Sequence, residues 1–99
     1  MSFRRNRFGD LVRRQLDLFA EDESRLLQEA DEAERAYDEA ERDEAEEAYG
    51  DFQLVLESVA ERLEGVRDTY ARTLDDGAAA AYEQAFDRAA RKRFPRVRL

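Results

Sequence analysis

Residues 45–73 read AEEAYGDFQLVLESVAERLEGVRDTYART and carry apolar residues at alternating intervals of four and three positions. The members of this series are Ala45, Tyr49, Phe52, Leu56, Val59, Leu63, Val66 and Tyr70. A repeat of about 3.5 residues keeps one stripe of a helix facing a neighbouring helix along its whole length. The pattern therefore predicts a long helix over about residues 44–74 with a continuous apolar seam.

Residues 12–40 repeat this spacing, and only Glu23 interrupts it. The apolar members are Val12, Leu16, Phe19, Leu26, Ala30, Ala33, Tyr37 and Ala40. We predict one helix over about residues 10–41, with Asp10 as its N-cap or first-turn acid. Ser24 is a suitable internal cap if the helix bends next to Glu23.

The two seams differ in phase, which indicates a turn over residues 41–44. Continuing the first seam beyond Ala40 would require apolar residues at positions 44 and 47, which are both Glu. Asp43 is a favourable N-cap type for a new helix, and the glutamates that follow suit the positive end of its dipole. An antiparallel hairpin is the first choice, and one long bent helix that pairs between chains is the alternative.

Reversal at residues 42 and 43 would place small side chains opposite large ones. Ala33 then faces Phe52, and Ala30 faces Leu56, as interdigitated packing requires. Glu23 would lie near Arg62, so an ion pair at the edge of the seam explains the acidic interruption.

A shorter third helix is predicted over about residues 78–94. Asp75 or Asp76 would cap it, and Pro95 would end it. The fold class is therefore all-α, a three-helix coiled-coil-like bundle. We expect a flexible basic arm at 1–7, one helical domain at 8–94 and a basic C-terminal tail at 95–99.

The third helix is too short to cover the whole hairpin, so the distal half is expected to form a bare two-helix stalk. Two helices alone bury little apolar surface, and a partner would therefore stabilise them. We predict self-association as a dimer, or docking of another helical protein. The predicted interface comprises Leu27, Tyr37, Tyr49, Phe52 and Leu54.

Charge is strongly segregated along the chain, whose net charge is -8. Basic residues concentrate at both termini and acids in the middle, so the hairpin would have a basic base and an acidic tip. The candidate phosphate-binding or anionic-surface residues are Arg4, Arg5, Arg7, Arg13, Lys92, Arg93, Arg96 and Arg98. The favoured interpretation is that these arms fold back on the bundle. Binding of nucleic acid is disfavoured by the overall negative charge, and a membrane surface is the weaker alternative.

Local ion pairs are also predicted, because six acids stand four residues before an arginine. They are Asp10 with Arg14, Glu21 with Arg25, Asp31 with Arg35, Asp38 with Arg42, Asp68 with Arg72, and Asp87 with Arg91.

Catalytic chemistry has little support in the composition. The chain has no Cys and no His, so it lacks thiolate sites and the commonest general base and metal ligand. The acids between Asp38 and Asp51 lack the spacing of a calcium-binding loop, and no glycine-rich phosphate loop is present. We therefore predict no enzyme activity, metal or cofactor.

Without an apolar run of membrane-spanning length, a cytoplasmic location is expected. The 16 Arg, single Lys and absence of Ile suggest a bacterial source with a GC-rich genome.

Overall fold

The computed structural model describes residues 7–99, which form four α-helices. These are α1 (Gly9–Asp22), α2 (Ser24–Glu39), α3 (Ala45–Ala71) and α4 (Asp76–Arg93). The all-α prediction is confirmed. The predicted count of three is wrong, because the first predicted helix is divided at Glu23.

The longest helix, α3, packs against both α2 and α4. Its buried residues are Phe52, Leu56, Val59, Leu63 and Ala71, and the first four belong to the apolar seam. With 27 residues, α3 is about 40 Å long at 1.5 Å per residue. The N-terminal part of α3 packs against α2, and its C-terminal part packs against α4.

The chain reverses between α2 and α3, so the predicted hairpin is present. Ala40 leaves α2 in an extended conformation, and a turn follows in which the Glu44 N–H donates to the Glu41 carbonyl at 2.9 Å. The prediction that Asp43 caps α3 is wrong: Glu44 occupies the N-cap position, without a side-chain capping bond. The acids Glu46 and Glu47 nevertheless lie in the first turn, where the helix dipole favours negative charge.

The predicted register of the hairpin is confirmed at Glu23. The Arg62 guanidinium donates to the Glu23 carboxylate at 2.9 Å, although the two residues are 39 positions apart. Ala30, Phe52 and Leu56 are all buried in one core cluster. Glu23, which interrupts the apolar seam, thus forms an ion pair with Arg62 across the hairpin.

Glu23 also marks a bend, with φ of -106° and ψ of 28° between α1 and α2. Backbone hydrogen bonding continues through it, since the Glu23 N–H donates to the Phe19 carbonyl at 2.8 Å and the Leu27 N–H donates to the Glu23 carbonyl at 2.9 Å. Glu23, not Ser24, occupies the N-cap position of α2. Beyond the bend α1 packs mainly against α4 instead of continuing along α3.

α4 lies between α1 and α3 and completes the core. Of the two predicted caps, Asp75 occupies the N-cap position, and its carboxylate accepts from the Ala78 N–H at 2.9 Å. Tyr82 and Phe86 are fully buried. The Tyr82 ring lies 4.8 Å from the ring of Tyr70 and 5.5 Å from that of Phe8, measured between centroids. Aromatic contacts therefore join α4 to α3 and to the residue that precedes α1.

Ion pairs in this fold link different elements. In residues 7–99 none of the six predicted pairs four positions apart is formed. Asp87 instead accepts from Arg67 of α3 at 3.0 Å, and Asp10 pairs with Arg13 at 2.9 Å. Packing of α3 against α4 brings Arg67 within reach of Asp87, so a tertiary contact replaces a local one.

Replacing Leu63 by Ala should lower the free energy of unfolding by about 3 kcal/mol, because the side chain is fully buried and the change leaves a cavity. Leu54, in the same helix, is 63% exposed, and its replacement by Ala should change the free energy by less than about 0.5 kcal/mol. Denaturant unfolding followed by circular dichroism at low micromolar concentration measures both. Equal effects of the two substitutions would contradict this placement of the core.

Candidate interaction surface

A pair of tyrosines lies at the distal end of the α2–α3 hairpin. Tyr37 is in the last turn of α2 and Tyr49 is near the start of α3, and the hairpin register brings their ring centroids to 5.3 Å. The ring of Phe52 lies 6.4 Å from that of Tyr37 in a stacked arrangement. We call these three residues the tip aromatic cluster. Tyr37 is 37% exposed and Tyr49 is 45% exposed, whereas Phe52 is only 5% exposed.

The other two predicted interface residues lie elsewhere. Leu54 follows Phe52 by two positions, which is about 200° around the helix, so it lies on the outer face of α3. Leu27 is half-buried and faces a groove that also contains residues from the C-terminal tail. Of the five residues, the structure therefore brings together Tyr37, Tyr49 and Phe52, and the first two offer surface to a partner.

An acidic rim surrounds the tip aromatic cluster. Eight carboxylates lie between residues 38 and 51, with Arg42 as the one basic residue among them, and all of these side chains are exposed. The acids are Asp38, Glu39, Glu41, Asp43, Glu44, Glu46, Glu47 and Asp51. In residues 7–99 no group of three or more acids is arranged to hold a metal ion. The rim therefore gives the tip a negative electrostatic potential.

Basic residues of the two terminal segments meet between α1 and the C-terminal end of α4, beside the middle of the α2–α3 hairpin rather than at its predicted basic base. Arg13 of α1 and Lys92 and Arg93 of α4 line an open cavity of about 390 Å³. The Arg7 guanidinium lies 5.1 Å from the centre of the Phe8 ring. Arg4 and Arg5 lie outside the described residues.

Some of the predicted anion-binding arginines are engaged within the fold. Arg93 pairs with Asp17 of α1, and Arg96 pairs with Glu34 of α2 at 2.7 Å. Arg98 is exposed and lines a small cavity next to Glu57. The C-terminal arginines therefore face acidic residues of the same chain, as the fold-back interpretation expects.

The tail also covers part of the hairpin that the sequence analysis expects to be bare. Val97 is 7% exposed, and Leu99 is half-buried against the core. These two aliphatic residues, with Phe94, alternate with arginines in an otherwise basic segment. This alternation of aliphatic residues with arginines is the sequence signal for a docked tail.

An open trough of about 710 Å³ lies between α1 and α3. Gln15, Val66 and Tyr70 lie along it, and the Glu23 and Arg62 pair lies at one end. The trough exists because α1 leaves α3 at Glu23 to pack against α4. It is shallow and lined by both polar and apolar groups, unlike an enclosed ligand site.

Two groups in residues 7–99 have shifted pKa values, and both lie between packed helices. Hydrogen bonding to Asp68 raises the pKa of the Arg67 guanidinium, burial opposes this rise, and Asp87 adds to it. Burial raises the pKa of the Tyr82 phenol, and its 2.8 Å hydrogen bond to the Gln15 carbonyl opposes the rise. The Arg67 shift thus arises mainly from its neighbour in α3, and the Tyr82 shift arises from burial between helices.

None of the helices in residues 7–99 has the length and apolar content needed to cross a lipid bilayer. In comparisons with models of protein families, with curated proteins and with solved structures, no match to this chain was found. Its function is therefore inferred from its own residues and geometry.

Replacing Tyr82 by Phe should cost about 1 kcal/mol at neutral pH through loss of the hydrogen bond to Gln15. Above the ordinary tyrosine pKa of 10.0, the unfolded state loses the phenol proton while the folded state retains it, so the wild-type protein loses stability as pH rises. The phenylalanine variant lacks this loss. The two free energies of unfolding should therefore converge above pH 10, as measured by denaturant titrations across this range. A constant difference would contradict the raised pKa.

Proposed function

We propose that this chain is a small non-enzymatic interaction or scaffold protein, which self-associates or docks a partner helix through the distal end of its α2–α3 hairpin. The observation that carries this proposal is the tip aromatic cluster. It exposes two tyrosine rings over a buried Phe52 in a part of the molecule only two helices thick. Tyrosine is favoured at interfaces because its ring is apolar and its hydroxyl group can meet water or a polar partner.

The thinness of the tip supports docking of a helix. α4 packs near the basal end of α3, and the C-terminal tail reaches only as far as Glu34 of α2 and Gln53 of α3. Beyond these residues the hairpin has no third layer among residues 7–99. A partner helix that extends the apolar seam would add coiled-coil-like packing where the intramolecular core is weakest.

The charge distribution supports an antiparallel arrangement of two copies. Two copies aligned in parallel would bring their acidic rims together. In an antiparallel dimer, the acidic rim of each copy would instead lie towards the basic segments of its partner. Such complementarity sets orientation and speeds association more than it adds affinity. Because these charges are exposed, added salt should weaken the association.

The absence of a catalytic role is consistent with the residues present. The sequence has no His or Cys, and the shifted pKa values have structural causes: an ion pair with the adjacent Asp68 for Arg67 and burial for Tyr82.

Sedimentation equilibrium at tens of micromolar protein should show a dimer at low salt. Replacing both Tyr37 and Tyr49 by Ser should weaken the association constant at least about tenfold, because burial of these rings supplies about 1.4 kcal/mol or more. The matched control is Leu18→Ser, which removes a 57% exposed leucine from α1 outside the proposed interface and should leave association unchanged.

Circular dichroism would establish that both variants are folded. A wild-type protein that remains monomeric at these concentrations would refute the self-association form of the proposal. Equal weakening by the Tyr variant and the Leu18 variant would refute the location of the interface.

A second candidate is an accessory nucleic-acid or anionic-surface binder. The observation that favours it is the convergence of Arg13, Lys92 and Arg93 around one cavity, since phosphate groups bind to clustered cations. The ion pair between Arg93 and Asp17 reduces the charge available there, and the net charge of -8 opposes binding to polyanions. This candidate therefore ranks second.

The second candidate predicts binding of random-sequence duplex DNA or of vesicles rich in anionic lipid at about 50 mM salt, with a marked loss at about 200 mM. Replacing Arg13 and Lys92 by Gln should weaken that binding, while the Tyr37 and Tyr49 variant should retain it. Fluorescence anisotropy for DNA and vesicle co-sedimentation measure the two cases. If neither ligand binds at the lower salt concentration, the second candidate is wrong.

A further inference from the structure

The last six residues of the chain form a small folded plug on the α2–α3 hairpin. The Val97 N–H donates to the Phe94 carbonyl at 3.0 Å, which closes a turn with Pro95 at its second position. Proline is favoured there because its ring fixes φ near the required value. The turn directs Val97 into the hairpin, where it is 7% exposed, while Pro95 and Arg96 remain exposed. We call residues 94–99 the tail plug.

The surface beneath the tail plug has an apolar floor. Leu27 and Ala30 of α2 and Val59 of α3 lie on one side of the plug, and Leu56 and Ala60 of α3 lie on the other. We call this surface the plug groove. Its floor accepts a branched aliphatic side chain such as that of Val97.

Acidic residues edge the plug groove on both sides. Glu34 of α2 accepts from Arg96 at 2.7 Å, and Asp31 lies beside it. On the α3 side, Glu57 lines the cavity that Arg96 and Arg98 also line. An apolar floor between carboxylates is complementary to an aliphatic residue flanked by arginines, which is the composition of the tail plug.

The tail plug occupies the groove incompletely. An open cavity of about 390 Å³ remains between residues 93–97 of the chain and Leu27, Ala30 and Val59. The ion pair at the edge is also weakly held, since the Arg96 side chain is 65% exposed and solvent screens it. Val97 is therefore the buried anchor of residues 95–99, whereas Phe94 stays with the core through its ring contact with Phe19 at 5.8 Å between centroids.

From these features we infer that the plug groove is a peptide-binding site, and that the tail plug is its built-in occupant. The ligand is a segment of another protein that presents a proline turn followed by an aliphatic residue between arginines. Such a segment displaces the tail plug by making the same contacts in trans. This site is separate from the tip aromatic cluster, and it stands whether or not the tip self-associates.

A fluorescent hexapeptide with the sequence of residues 94–99, FPRVRL, tests the inference. In the full-length protein the attached plug competes at an effective concentration of about millimolar, so the free peptide should bind weakly. Replacing Val97 by Asp in the full-length chain removes the anchor, and the peptide should then bind at least about tenfold more tightly. Fluorescence anisotropy measures both affinities. The matched control is Leu54→Asp, an equivalent change at an exposed leucine, which should leave the weak wild-type affinity unchanged.

Two further changes locate the site. Adding Glu34→Lys to the Val97→Asp chain should weaken peptide binding at least about fivefold, and a peptide with both arginines replaced by Glu should not bind. Adding Tyr37→Ser and Tyr49→Ser should leave binding unchanged, which separates this site from the proposed function of the tip. If circular dichroism shows that the Val97→Asp chain is unfolded, the Arg96→Glu variant replaces it. This change at an exposed position removes the ion pair with Glu34 and so releases the plug. Equal peptide affinity of a folded opened variant and the wild-type protein would overturn the inference, as would binding that is insensitive to Glu34→Lys.

Discussion

The pairing of α2 with α3 is the contact on which the rest of the structure depends. Ala30 packs within the same core as Phe52 and Leu56, and the ion pair between Glu23 and Arg62 lies at the basal end of this seam. A repeat near 3.5 residues lets two helices remain in contact over several turns. In this hairpin, the second half of α3 packs against α4. The last residues of the chain lie in the groove along the first half of α3.

Cross-helix ion pairs and aromatic contacts then connect parts of the chain that are distant in sequence. Arg67 pairs with Asp87, and Arg93 pairs with Asp17, 76 positions away. The exposed pair between Arg93 and Asp17 contributes little free energy by itself, but both pairs identify which helices lie side by side. Tyr82, which contacts the rings of Phe8, Tyr70 and Phe86, connects α4 to α3 and to the residue before α1. Eight exposed carboxylates lie between residues 38 and 51 at the hairpin tip, whereas Arg96 and Arg98 lie along the side of the same hairpin.

The sequence predicts the helices of this fold better than it predicts which residues form its surfaces. The seam positions of α3, the reversal after Ala40 and the cap at Asp75 follow from short-range periodicity and capping preferences. The exposed pair Tyr37 and Tyr49 could be named in advance because both lie on the seam near the turn. Burial of Phe52, and the separation of Leu27 and Leu54 from the tyrosines, depended on the packing of helices and of the tail. The ion pairs of Arg67 with Asp68 and Asp87 could not be predicted from acids and arginines four residues apart.

The amino-acid sequence by itself determined the helices, the antiparallel hairpin and the segregation of charge, because these arise from the order of residues within one or two turns. The sequence left a bend at Glu23 open, and the tertiary structure decided that it is present. The tertiary structure alone decided the position of α4 between α1 and α3 and the docking of Val97 on the hairpin. Those features depend on distances between residues far apart in the chain. A side chain such as that of Arg96 interacts with whatever the fold brings near it, and neighbours along the chain do not specify that partner.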